Sequence, residues 1–143
     1  MTLLIFYAYP AIAMVFLTFV VLMVLGYRRL LAIRRKQYPL RYFKLLQRPE
    51  GANFPEGAEA AARNFVNLFE VPVLFYALVP LFVLTGKTDD LALGALWAFV
   101  ALRGVHSLVH LTFNHLVARF LAYAASGAAL GIAWLRFAQL LLG

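Results

Sequence analysis

The chain has 143 residues, of which 64% are hydrophobic and 13% charged, against about 45–50% apolar and about 25% charged residues in soluble domains. With a mean hydropathy of +0.84, a water-soluble domain could not cover its apolar surface, and an integral membrane protein is expected. The absence of cysteine excludes disulfides and thiolate metal sites, and the net charge of +7 is concentrated in one segment that membrane topology explains without nucleic acid.

Residues 3–25 carry no charge and are long enough for a hydrocarbon core, which takes about 20 residues. No basic residue precedes them, and they exceed an ordinary signal-peptide core, so they are expected to remain as the first span. Gly26 ends this stretch loosely. The helical pattern runs on to Lys36 and places Arg28, Arg29 and Arg35 just above the membrane. Arg34, Lys36, Arg41, Lys44 and Arg48 complete a basic segment over 26–57, whose irregular part is marked by Pro39, Pro49, Gly51, Pro55 and Gly57. The positive-inside rule places this segment in the cytoplasm, with both termini and the 86–90 turn outside. Attraction to anionic lipid headgroups is a further use of the same charge, and binding of an anionic substrate is the sharper reading.

The second span, 58–84, contains the most informative stretch of the chain, RNFVNLFEVP at 63–72. Arg63, Asn67 and Glu70 stand at offsets 0, 4 and 7, which a helix turning about 100° per residue brings within about 60° of one another. A polar stripe therefore enters the membrane. Ionisable groups there are costly and face a partner or a water-filled cavity. The plain alternative is an internal ion pair between Arg63 and Glu70. Pro72 removes a donor to the Leu68 carbonyl, so a bend is expected that either shapes the bundle or widens a pocket around Glu70.

The third span, 91–112, carries Arg103, His106 and His110, with Asn114 just beyond, at offsets 0, 3, 7 and 11. The His106–His110 spacing also suits metal ligation, but no HExxH is present, so hydrogen bonding is expected and no metal. The connection 113–115 faces inward, and the fourth span, 117–142, begins with Arg119 and places Tyr123 one turn later. Tyr123 by itself reads as core or interface. Gly127 and Gly131 form a small-xxx-small pair that admits another helix. All of these polar groups fall near the cytoplasmic ends of their helices, where one cavity could collect them. The expected fold is an all-α integral membrane protein, one domain over 1–143, in which four transmembrane helices (3–36, 58–84, 91–112 and 117–142) form an up-down bundle.

On these residues the chain resembles the MAPEG family, the membrane-associated proteins of eicosanoid and glutathione metabolism, in its bacterial type. The R-x3-N-x2-E arrangement of Arg63, Asn67 and Glu70, followed by Pro72, is similar to the family's second helix. The stretch RGVHSLVHLTFNHLVARFLAY, with Arg103, His106, His110, Arg119 and Tyr123, resembles its third-to-fourth helix junction. Two departures stand out. His110 occupies a position where a tyrosine is common, and Pro72 lies about a residue closer to the glutamate. The resemblance implies a homotrimer that holds glutathione between neighbouring subunits near the cytoplasmic side, without a metal.

What the resemblance implies for this chain is a glutathione-dependent transferase or peroxidase acting on a lipophilic electrophile or hydroperoxide. Arg63 and Arg29 would take the carboxylates of glutathione, Glu70 its ammonium and Asn67 an amide. His106, His110 and Tyr123 would complete the glutathione site, while Arg103, Asn114 and Pro72 support it. Arg119 would stabilise the thiolate as the catalytic group. Two other classes remain: a small proton-coupled multidrug exporter using Glu70, which should not ring its cation site with Arg63, Arg103 and Arg119, and a non-catalytic scaffold whose polar residues only pair internally.

Overall fold

A computed structural model describes residues 2–37 and 55–143, so Pro39, Arg41, Lys44, Arg48, Pro49 and Gly51 of the basic segment lie outside the described residues. The described chain is helical, with α1 at Thr2–Arg34, α2 at Glu56–Asn67, α3 at Pro72–Thr85, α4 at Asp90–Leu111 and α5 at Leu116–Leu142. Together α2 and α3 form one span, giving four segments long and apolar enough to cross a membrane: Ile5–Arg34, Glu56–Thr85, Asp90–Leu111 and Leu116–Leu142.

On α1 one narrow stripe faces the bundle. Tyr7, Met14, Val21, Leu25 and Ala32 are buried, and their spacing of seven, seven, four and seven keeps them on one side of the helix. Phe16, Phe19, Met23 and Tyr27 are exposed on the others. Tyr7, Met14 and Val21 of this stripe join Phe75, Leu78 and Phe82 of α3, Leu96 and Phe99 of α4, and Leu130 and Phe137 of α5 in one apolar core. Aromatic contacts organise its centre. Phe75 stacks on Phe99 at 4.9 Å between ring centroids, while Phe82 meets Tyr7 at 4.8 Å and Phe137 at 4.9 Å.

Small side chains set the closer approaches. Ala58, Ala60 and Ala61 form the buried face of α2, which packs on α1, and Ala92 and Ala95 of α4 share the α4–α5 seam with Ala122, Ser126, Ala129 and Ala133. Gly127 and Gly131 do not serve this seam, because a Cβ at either would have no described atom within 4 Å.

The expected continuous helix over 58–84 is broken. After Asn67 the chain turns through Leu68–Val71, with short-range bonds from Phe69 N–H to the Val66 carbonyl (2.8 Å) and from Val73 N–H to the Glu70 carbonyl (3.2 Å). Pro72 then opens α3 at its first turn, where its missing N–H costs no helical bond and its fixed φ suits the helix. The proline therefore starts a helix here, and the interruption falls just before it. The first helix likewise stops at Arg34, short of the expected 36, and Lys36 turns the chain with a φ of 55°.

The end of the bundle opposite the basic segment is tied by Asp89. Its carboxylate accepts from Ala92 N–H at 2.8 Å and pairs with Arg136 of α5. The Tyr7 hydroxyl donates to the Asp89 carbonyl at 2.6 Å and accepts from its N–H at 3.0 Å. Burial pushes the Asp89 carboxyl up, but the Ala92 amide and the Arg136 guanidinium together hold it below its ordinary value of 3.8.

Candidate functional site

The cleft lies between the last turns of α2, the end of α4 and the start of α5. Glu59, Arg63, Asn67 and Glu70 form one wall, together with Ala62 and Val66, and His110 and Arg119 form the other, around a volume of about 460 Å³. Arg63 and Glu70 are exposed, Asn67 and Arg119 half-buried, and His110 buried. Helical spacing put Arg63 and Asn67 on one face of α2, the turn after α2 brings Glu70 to the same wall, and packing of α4 and α5 brought His110 and Arg119 opposite them.

Arg63 and Glu70 both line the space, and among the described residues no ion pair joins them to one another. Arg119 is held in place from its own side. Its Nη1 donates to the Asn114 side-chain oxygen at 2.8 Å and to His110 Nε2 at 3.3 Å. Because a guanidinium only donates, His110 Nε2 is the accepting nitrogen and its proton sits on Nδ1. Asn114 reaches Arg119 from a left-handed backbone, φ 48°, a conformation asparagine tolerates better than most residues.

Behind this wall lies a buried polar layer. His106 Nδ1 donates to the Arg119 carbonyl at 3.0 Å, and its ring lies 5.6 Å from that of His110 and 5.8 Å from that of Tyr123. Arg103 is wholly buried. Its guanidinium stands 5.4 Å from the Tyr123 ring centroid and donates through Nη2 to the Asn67 carbonyl. That carbonyl belongs to the last residue of α2, where the helix has stopped supplying donors, so Arg103 caps α2 and fixes the wall that carries Asn67 and Glu70. His106, Arg103 and Tyr123 thus back the cleft without lining it. Pro72 is buried below it at the start of α3.

Arg29 is the candidate the structure leaves apart. It is half-buried on α1 and does not line the cleft. Its neighbour Arg28 turns inward, donating through Nη1 to the Gly57 carbonyl at 2.9 Å and through Nη2 to the Leu111 carbonyl. One side chain thereby joins α1, α2 and the end of α4, where a cation also meets the negative end of the helix dipole. A signal for this was available, since Arg28 falls on the buried stripe between Leu25 and Ala32. Glu59 was also missed, although it precedes Arg63 by one helical turn. Nothing in the sequence pointed to the bond from Ser107 Oγ to Asn64 Oδ1, 3.2 Å, which ties α4 to α2.

The third histidine has a local role: His115 Nδ1 accepts from Ala118 N–H at 3.3 Å and caps α5. Among the described residues, no group of three or more His, Asp or Glu side chains is placed to hold a metal ion. Comparisons with curated proteins and with solved structures find no match. The model of the MAPEG family matches residues 7–139. That match covers nearly the whole chain, including every residue of the cleft, and supports a glutathione-related membrane function in general. The four-span helical bundle with this polar cleft at one end of α2 belongs to the MAPEG family.

Proposed function

We propose that the protein is a glutathione-dependent membrane transferase or peroxidase that attacks a lipophilic electrophile or hydroperoxide with an arginine-stabilised thiolate. The observation that carries this reading is the cleft itself: Arg63, Asn67 and Glu70 on one wall face Arg119 on the other around about 460 Å³, within the usual range of small-molecule sites, about 300–1,000 Å³. Glutathione has two carboxylates, an ammonium, two amides and a thiol, and this donor set matches them. Arg63 takes a carboxylate, Glu70 the ammonium and Asn67 an amide. Arg119, already oriented by Asn114 and His110, receives the sulfur and favours its thiolate.

Arg29 fits the same scheme only from a second copy. It lies outside the cleft of its own chain, and the exposed apolar side of α1, with Phe16, Phe19 and Met23, suits contact with lipid or a neighbouring subunit. In a homotrimer a neighbour's Arg29 can supply the second carboxylate contact, and a lipophilic substrate can reach the sulfur sideways from the bilayer between helices. The orientation proposed is the one the basic segment favours, with the cleft near the cytoplasmic side. A cationic drug, by contrast, would meet Arg63 and Arg119 on opposite walls, which disfavours the exporter.

The test is calorimetric binding of glutathione to detergent-purified protein, with ultraviolet thiolate absorbance followed in parallel. Binding with a thiolate signal is expected, and turnover is then sought with electrophiles and lipid hydroperoxides. No binding at millimolar glutathione would overturn the reading.

A further inference from the structure

The end of α1 and the start of α2 border a cavity of about 310 Å³ that is separate from the cleft, since the two share no lining residue. Arg28 and Leu31 of α1, Arg35 and Gln37 just past its end, and Gly57 and Ala58 of α2 line it. The way α1 ends explains this arrangement. Arg35 N–H still bonds the Leu31 carbonyl at 3.0 Å, so the helical turn keeps Arg35 on the side of Arg28, two turns back. Lys36 N–H then bonds the Ile33 carbonyl and Gln37 N–H the Ala32 carbonyl, each at 2.9 Å, with Lys36 in the left-handed region at φ 55°. This is the bonding pattern of a Schellman turn. It brings Gln37 back to the cavity and occupies the Leu31, Ala32 and Ile33 carbonyls, which as free acceptors at a helix C-terminus would oppose an anion.

Charge without countercharge distinguishes this space. Among the described residues its lining holds Arg28 and Arg35 and no carboxylate; the acids in the first turn of α2 line other spaces, Glu56 the one beside Thr112 and Glu59 the cleft. The Arg28 guanidinium is fixed by the Gly57 and Leu111 carbonyls, bonds that use only part of its donor set and leave its charge unneutralised. Arg35 and Gln37 are exposed and can turn onto a ligand. One span ends at Arg34 and the next begins at Glu56, so the cavity lies at the level of lipid headgroups. From it an apolar row runs into the span: Leu31, Tyr27, Val24 and Val20 recur at helical spacing and none is fully buried. We propose that the cavity is a phosphate site, filled from the membrane by the headgroup of an anionic phospholipid whose acyl chain lies along this row. Basic pockets between membrane helices on the cytoplasmic side suit such headgroups. Arg28 and Arg35 give charge-assisted hydrogen bonds to the phosphate oxygens, the Gln37 amide adds a neutral one, and Leu31 and Ala58 meet the glycerol. Soluble phosphate offers the same chemistry to the arginines but has no use for the apolar row. The site does not depend on what the cleft binds.

The experiment titrates detergent-purified protein with phosphatidylglycerol, phosphatidylcholine or inorganic phosphate. Retained lipid is counted by native mass spectrometry, and every ligand is read by the rise in melting temperature that binding to the folded state produces. The expected result is a single phosphatidylglycerol retained per chain with a raised melting temperature, and neither effect from phosphatidylcholine, whose choline meets the arginines. Arg35→Gln should weaken phosphatidylglycerol about tenfold or more, the worth of a hydrogen bond to a charged group. Arg34→Gln is the control, because it removes the same charge from an exposed neighbour that does not line the cavity. At about 0.15 M salt, where exposed charges are screened beyond about 8 Å, it should stay within about twofold of the wild type. Without lipid both variants should melt as the wild type does. Equal losses in the two variants, or no preference for phosphatidylglycerol over phosphatidylcholine, would show a merely basic surface and overturn the site. An Arg35-dependent response to inorganic phosphate with no lipid retained would overturn the membrane as the source. Displacement of phosphatidylglycerol by millimolar glutathione would overturn the separation of this cavity from the cleft.

Discussion

Replacing Arg119 by alanine separates binding from activation. In the free state its Nη1 bonds Asn114 at 2.8 Å and His110 at 3.3 Å, so the guanidinium is held at the wall before any ligand arrives. A thiol ordinarily ionises at about 8.5, which leaves about 3% thiolate at neutral pH. An opposite charge within a few ångströms lowers such a pKa by about 1–3 units, raising the thiolate fraction to between about a quarter and nearly all. Arg119→Ala should therefore reduce bound thiolate about eight- to thirtyfold at pH 7, while the contacts of Arg63, Asn67 and Glu70 keep glutathione in place. Arg119→Lys retains the charge without the planar fork, so it should fall between the two. The assay is a titration of thiolate absorbance at saturating glutathione, with calorimetry confirming occupancy. An unchanged apparent thiol pKa in Arg119→Ala would remove the role assigned to this residue.

Glu70→Gln should weaken glutathione binding about tenfold or more, the worth of one hydrogen bond to a charged group, in a protein that still elutes as the wild-type oligomer; retained affinity would refute the ammonium contact. Arg28→Ala loses its bonds to the Gly57 and Leu111 carbonyls and should cost about 2–3 kcal/mol, seen as a lower melting temperature in detergent. Arg29→Ala one residue away should melt as the wild type does and lose glutathione affinity, and a shared melting defect would contradict the division of labour between them. At the opposite end, the depressed Asp89 carboxyl contributes stability that is present above its unfolded value near 3.8 and is lost as pH falls through the lower folded value. Melting temperature should drop in that acid window for the wild type and less so for Asp89→Asn, which is already weakened at neutral pH; equal acid sensitivity in the two would show that another group controls it.

Periodicity alone determined much of this protein, because a span, a buried stripe and a polar stripe are properties of one helix and follow from its turn angle. Arg63 and Asn67 were bound to share a face of α2, whereas Glu70 lies past its end and reaches the same wall through the turn at Leu68–Val71. The uncharged 3–25 stretch needed only length and composition to be a span. Local chemistry, however, does not say whether a proline bends a helix or begins a new one. That was decided here by Arg103, which comes from α4 to hold the Asn67 carbonyl and lets α2 end before Pro72. Register on the buried stripe of α1 already sets Arg28 apart from Arg29, but does not say what it binds. Their residue types are identical, and only contact with Gly57 and Leu111, 29 and 83 positions away, makes the first a clamp, while the second stays half-buried and off the cleft. His110 is the clearest case: the sequence placed it near Arg119 in register, but its place on the cleft wall opposite Arg63 exists only once α2, α4 and α5 have met, because a cavity has no residue of its own and is defined by what several elements leave open.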